Sequence, residues 1–152
     1  MKINYTMIQD QIALEKLQKF LRTNELPHTD LDNSLKVKGR IFLGYYENDG
    51  ELVGSGGLEL HGDSALLRSV AVRNTHRGKS LGKKIVNDLV TKARELKVMD
   101  IFLLTETAQD FFTRNGFKEI SREEVPKTIK SSSEFVHICP ASAVCMYYKL
   151  TE

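Results

Sequence analysis

The sequence predicts an α/β fold, with a mixed, mostly antiparallel sheet and flanking helices in one domain spanning residues 1–152. Three observations carry that expectation. Residues 40–72 alternate β-rich runs with tight-turn dipeptides, the pattern of an antiparallel meander. A strand, an amphipathic helix and a nearly all-apolar run then follow, the signature of a right-handed crossover between parallel strands. The chain of 152 residues, 41% apolar and 28% charged, is long enough for one core and has ordinary globular composition.

Taken in order, INYTMI alternates and reads as a first strand. QDQIALEKLQKFLRTN places Ile12, Leu14, Leu17, Phe20 and Leu21 on one helical face, and Pro27 blocks its continuation. TDLDNS is turn chemistry or a short helix that Thr29 or Asp30 can cap. RIFLGYYENDGELVGSGGLEL is a hairpin whose Asp49-Gly50 suits a turn needing positive φ. HGDS turns the chain into a third strand, ALLRSVAV. SLGKKIVNDLVTKARELK is the strongest helix, with Leu81, Ile85, Leu89, Val90, Ala93 and Leu96 as its stripe. VMDIFLLT is a buried strand, and AQDFFTRNGF a short helix closed by Asn115-Gly116. FKEI reads as a strand, REEVPKTIK as a short helix with Pro126 in its first turn, and SAVCMYYKL as the closing strand. No repeat, low-complexity tract or linker divides the chain.

A net charge of +2 argues against general nucleic-acid binding. Arg73, His76, Arg77, Lys79, Lys83 and Lys84 nevertheless cluster with no acid among them, a local site for a compact polyanion. Cys139 and Cys145 sit close together without disulfide-framework or metal-ligand spacing, which fits reduced thiols. The N-terminus lacks the apolar core of a signal peptide, and no apolar run is long enough to span a bilayer. A soluble cytoplasmic protein without membrane or nucleic-acid partners is expected, and a homodimer is compatible with this size.

The informative stretch is VAVRNTHRGKSLGKKIV, residues 70–86, a strand, a basic loop and a helix start. The first amides of a helix have no intrachain partner, and the helix dipole favours an anion there. Gly78 and Gly82 allow close approach to the backbone, and Arg77 and Lys79 supply charge, so a pyrophosphate fits. A solvated basic helix end is the alternative. Neither G-x-x-x-x-G-K-[ST] nor a G-x-G-x-x-G after a strand is present.

R-G-K-S-L-G resembles the acetyl-coenzyme A loop Q/R-x-x-G-x-G/A of the GNAT superfamily of N-acetyltransferases. Arg77 and Gly82 match its outer positions, and Ser80 replaces the middle glycine. AQDFFTRNGF is similar to the superfamily's A-x-x-F-Y-x-x-x-G-F segment, and the likeness runs from about Arg40 to Leu150. It implies a central parallel pair, Leu66–Val72 and Ile101–Thr105, splayed around the pantetheine arm of acetyl-CoA. Val70, Ala71, Val72, Arg77, Gly78, Lys79, Ser80, Leu81, Gly82, Lys83, Thr105, Phe111 and Phe112 are the implied cofactor residues. LPHTDL, ALLRSVAV and CPASAVCM further resemble small acetyltransferases of arsenic-resistance operons and enzymes of the N-acetylglutamate synthase type. That likeness implies a small-molecule amine acceptor: an amino acid, or an arsenic or phosphinic analogue of glutamate.

Direct acetyl transfer needs a neutral amine, donors for an oxyanion and a route for the leaving thiolate. Leu66 stands where some relatives carry a glutamate, which makes Glu59 the candidate base; otherwise it is an exposed strand carboxylate. His61 reads as an exposed turn residue. Phe112 replaces a tyrosine common in relatives, so Tyr147 or Tyr148 is the candidate acid, with solvent reprotonation as the alternative. The main-chain N–H of Val70 or Ala71 is the candidate oxyanion donor. Arg68 interrupts a buried-looking strand and is read as a clamp for a substrate carboxylate, or else as an ion-pair partner of Glu59 or another acid. Ser142 and Cys145, in the family-like PASAVC, are candidate acceptor-pocket residues; both otherwise pack, as Phe111, Phe112 and Phe117 mostly do. Besides the amino-acid N-acetyltransferase, two readings stay open: a non-catalytic acyl-coenzyme A sensor and a protein-tail acetyltransferase.

Overall fold

The computed structural model describes residues 3–32, 34–78, 80–132, 135 and 143–150. Its seven strands are β1 (Ile3–Met7), β2 (Arg40–Glu47), β3 (Leu52–His61), β4 (Ser64–Val72), β5 (Asp100–Thr105), β6 (Lys118–Glu119) and β7 (Val144–Lys149). They form one sheet in the order β1-β2-β3-β4-β5-β7-β6. Every pair is antiparallel except β4–β5. The helices are α1 (Gln11–Thr23), α2 (Leu81–Glu95), α3 (Gln109–Arg114) and α4 (Lys127–Lys130). The expected meander, crossover and closing strand are all present.

Helix α2 covers one face, where Ile85, Leu89 and Ala93 are fully buried with Leu67, Ile101 and Met146. It lies close because β3 offers no side chain there: a Cβ on Gly56 would stand 2.6 Å from Leu89 Cδ1. Helix α1 packs Leu14, Leu17 and Leu21 against Phe42 and Ala71 on the opposite face. Asp10 starts α1, its carboxylate accepting from the Ala13 N–H at 2.8 Å.

Several sequence expectations need correction. Ile12 is 69% exposed, because it lies two positions, roughly 200°, from Leu14 around the helix. Leu96 is the C-cap of α2 and exposed, whereas Val86, omitted from the stripe, is buried. Pro126 precedes α4 as its N-cap, and Arg122–Glu124 form a separate 3-10 turn. Neither Thr29 nor Asp30 caps the 3-10 turn Thr29–Leu31; its N-cap is His28, without a side-chain bond.

The feature that shapes the site is a bulge in β4. Ser55 pairs with Ala71 and Gly57 with Arg68, so Ser69 and Val70 together oppose Gly56. Ser69 takes φ +61°, uncommon for a residue with a Cβ. Two bonds hold it there: Ser55 Oγ donates to its carbonyl at 2.7 Å, and Arg68 Nε donates to its hydroxyl at 3.2 Å. A bulge bends its strand and increases its twist. Pairing between β4 and β5 accordingly runs only from Ser64 to Leu66, while β5 stays paired with β7 through Thr105. The two central strands part beyond Leu66.

Candidate functional site

The parted strands open a cleft of about 1400 Å³. Typical small-ligand pockets enclose roughly 300–1,000 Å³, so there is room for an extended ligand and a second small molecule. Leu67 to Val72 form one wall, Leu103 to Ala108 another, and Phe111 and Phe112 close the far side. Asn24 to Thr29, between α1 and β2, line the cleft as well, with Asn24 bonded to Arg77 at 3.1 Å.

The backbone of β4 supplies the polar groups of the gap. Arg73 donates to the Val53 carbonyl at 2.8 Å, and strand alternation then turns the N–H and C=O of Ala71 toward β3. Those of Val70 and Val72 face the gap. The Val72 carbonyl accepts from Arg77 Nε at 3.0 Å, as that direction requires. Of the two candidate oxyanion donors, only Val70 is so placed.

Beyond Val72 the loop meets α2. Ser80 is its N-cap in the left-handed region, φ +67°, with no side-chain cap bond and no acid in the first turn. The first intrahelical bond of this end runs from Lys84 N–H to the Ser80 carbonyl at 3.0 Å. The amides of Leu81, Gly82 and Lys83 therefore point out of the helix end toward the cleft. Gly78, at φ +78°, and Gly82 and Lys83 line it; the Leu81 side chain packs inward, 5% exposed. The missing Cβ of Gly82 serves Phe111, whose Cζ would lie 3.1 Å from it. Thr105 Oγ accepts from the Ala108 N–H at 3.0 Å and steadies the entry to α3.

Three of the five described members of the basic cluster lie against neighbouring acids. Arg73 pairs with Glu51 at 2.6 Å and Lys84 with Asp88 at 3.3 Å. His76 Nε2 lies 3.1 Å from a Glu47 carboxylate oxygen without aligned hydrogen-bond geometry. Arg77 reaches Asn24 Oδ1 at 3.1 Å with its Nη2. What this end offers to an anion is thus chiefly backbone amides and the helix dipole, with Arg77 and Lys83 beside them. Lys79 and Ser142 lie outside the described residues.

Arg68 enters the cleft wall from β4 with a fully buried side chain. Its guanidinium binds Asp30 through two bonds, 2.5 and 2.8 Å, and Glu59 at 2.7 Å. The structure thus realises the ion-pair reading, with Asp30 as a second acid that sequence reasoning had treated as a cap. Glu59 is 3% exposed and not among the cleft-lining residues. Burial pushes its pKa up, but the His61 hydrogen bond, the charge and hydrogen bond of Arg68 and the charge of Arg40 outweigh that and bring it to about 2. A carboxylate held this firmly in its charged form is a weak proton acceptor.

Tyr147 does not reach the cleft. It stacks on Phe102 and borders a small depression beside Glu119 and Glu124. Tyr148 packs on Phe117. Leu66 and Cys145 are buried together on the face opposite α2. No group of His, Cys, Asp and Glu able to hold a metal ion occurs among the described residues. Among them, no helix is long and apolar enough to cross a membrane.

With this geometry in view, comparison with known proteins is direct. Residues 38–119 match the family model described as an acetyltransferase (GNAT) domain. An amino-acid acetyltransferase of Mycobacterium tuberculosis is 40% identical over 87 residues, 56% of this chain and 48% of the relative. The chain therefore spans about half the length of that curated relative. A solved GNAT-family acetyltransferase from Staphylococcus aureus Mu50 superimposes with a TM-score of 0.79 at 23% identity, over 99% of this chain and 100% of that one. N-acetylglutamate synthase from Neisseria gonorrhoeae, solved with coenzyme A and N-acetyl-glutamate, gives a TM-score of 0.75 at 17% identity, over 100% of this chain and 36% of that one.

Proposed function

The chain belongs to the GNAT acetyltransferase domain family, and from that premise we propose that it moves an acetyl group from acetyl-CoA to the amine of a small amino acid or amino-acid-like compound. The observation that carries this reading is the coincidence of two features in one cleft. The gap between β4 and β5 offers the outward backbone of Val70 and Val72, and the uncapped start of α2 opens onto its mouth. The first suits an extended amide-bearing arm and the second a pyrophosphate. When bound, acetyl-CoA supplies an activated thioester carbonyl.

Each cleft residue has a role in this reading. The Leu81–Lys83 amides, with Arg77, Gly78 and Ser80, hold the diphosphate. The Val72 carbonyl accepts from the pantetheine arm, and the Val70 N–H donates to the oxygen that gains charge as the amine attacks. Phe111 and Phe112 keep water from the thioester end. A C–N bond forms as a C–S bond breaks; the amine proton passes to solvent and the thiolate leaves to be protonated by water. Glu59 anchors Arg68 rather than taking the amine proton, and Arg68 is the cation that meets the acceptor's carboxylate. The amino-acid acetyltransferase relative supports this choice of acceptor class.

The test is a thiol-release assay with acetyl-CoA over amino acids, arsenic and phosphinic glutamate analogues, simple amines and peptide tails. Turnover of at least one amino acid or analogue is expected. Acetyl-CoA binding without turnover of any amine would favour a sensor, and turnover of peptides alone a protein-tail enzyme.

A further inference from the structure

Among the described residues, two carboxylates hold Arg68, and they are held very differently. Glu59 belongs to β3, deep in the sheet, and is fixed by Arg40 at 3.7 Å and His61 at 3.3 Å as well as by Arg68. Asp30 comes from the 3-10 turn between α1 and β2, whose residues His28 and Thr29 border the cleft. Its carboxylate meets Arg68 through paired N–H···O bonds, one to each oxygen. That fork-on-fork geometry is also how an arginine receives a free carboxylate ligand.

We propose that Asp30 determines acceptor specificity by occupying the place on Arg68 that the acceptor's own carboxylate takes. The proposal rests on the reading of Arg68 given above and adds the residue that gates it. Charge conservation argues for the exchange. Among the described residues, Arg68 and Arg40 face Asp30 and Glu59, two cations against two anions. A carboxylate that replaces Asp30 keeps the buried guanidinium compensated, whereas an uncompensated one is strongly disfavoured. An amine without a carboxylate leaves Asp30 in place and gains nothing from Arg68. The exchange requires the Asp30 side chain, 7% exposed, to swing away from Arg68 past His28 and Thr29, which line the cleft. Its backbone stays, because Leu31 is buried in the α1 core and Arg40 Nη1 donates to the Asp30 carbonyl at 2.9 Å.

The test is calorimetric titration of wild type and D30N with the twenty protein amino acids and, for each that binds, the amine lacking its carboxylate. Asparagine keeps the shape of Asp30 but not its charge, so it competes less. Because a seated Asp30 lowers the binding-competent fraction, D30N is expected to bind the amino acid about fivefold or more tightly and the matched amine unchanged. Wild type provides a second measurement that needs no variant: the deaminated acid should compete with the amino acid, and its neutral amide should not. Equal weakening of acid and amine in D30N, or no distinction between acid and amide in wild type, overturns the proposal. Binding of amines alone overturns it too. If wild type releases no thiol with any amine, the transferase reading falls, while these binding ratios still decide the role of Asp30.

Discussion

Replacing Glu59 with glutamine removes a carboxylate that Arg68 binds at 2.7 Å and almost preserves the side chain's shape. Glu59 is buried, and its pKa falls from 4.5 to about 2 in the folded protein. A difference of about 2.5, at about 1.4 kcal/mol for each, ties roughly 3 kcal/mol of stability to the charged form. The folded value is the lower one, so this contribution is complete above pH 4.5 and is lost as the pH falls toward 2. A second route gives the same order: removing one member of a buried ion pair costs about 3–5 kcal/mol. The lower end applies here, since Asp30 still meets Arg68. Urea unfolding of wild type and E59Q at pH 7 should differ by about 3 kcal/mol, and the gap should shrink by roughly 2 kcal/mol by pH 3. A gap below about 1 kcal/mol at pH 7, or one that does not change with pH, refutes the assignment of Glu59 as a charged anchor.

Three further outcomes are expected. Gly82→Val drives a side chain into Phe111, which would lie 3.1 Å from its Cβ; KM for acetyl-CoA should rise about tenfold or more and stability should fall by about 1–3 kcal/mol, as read by steady-state kinetics and urea unfolding. Tyr147→Phe removes a hydroxyl on the far side of β7. Loss of a general acid costs about 10²–10⁴-fold, so kcat within about twofold of wild type would support leaving-group protonation by solvent. Burial lifts the Cys145 thiol to about 11 against a smaller opposing effect of Arg122, so mass-mapped labelling at pH 8 should find Cys145 unmodified long after a free thiol has reacted.

The fold was legible where periodicity is strong and local. The β2–β3 hairpin, α2 and the apolar β5 each carry their own pattern, and the R-G-K-S-L-G loop announces the helix end that faces the cleft. What stayed hidden depends on contacts between distant positions. Nothing local to LLRSVAV marks Ser69 as a bulge; the one hint is the glycine-rich VGSGG on the facing strand. Asp30 and Arg68 are thirty-eight positions apart, so the acid that covers the arginine looked like an ordinary turn residue. The crowd of cations after Val72 was overread for a similar reason: Glu51 and Glu47, which engage Arg73 and His76, come from the tip of an earlier hairpin. Neither Tyr147 nor Tyr148 lines the cleft, because their opposite faces are taken by Phe102 and Phe117, partners the strand's own sequence does not reveal.

The extra residue in β4 also divides that strand into two stretches of opposite parity. Ala65 and Leu67 point to the α2 side, as do Val70 and Val72, while Ala71 points to α1. Counting by twos from Leu67 would put Ala71 beside α2 and both valines on the wrong side. Deleting Ser69 would thus leave the three residues after it on the sides they already face, now by plain alternation from Leu67, and let the strand run straight alongside its parallel neighbour. Side-chain exchanges on either stretch leave the other untouched, but a change of length by one between Arg68 and Ala71 would erase the gap itself.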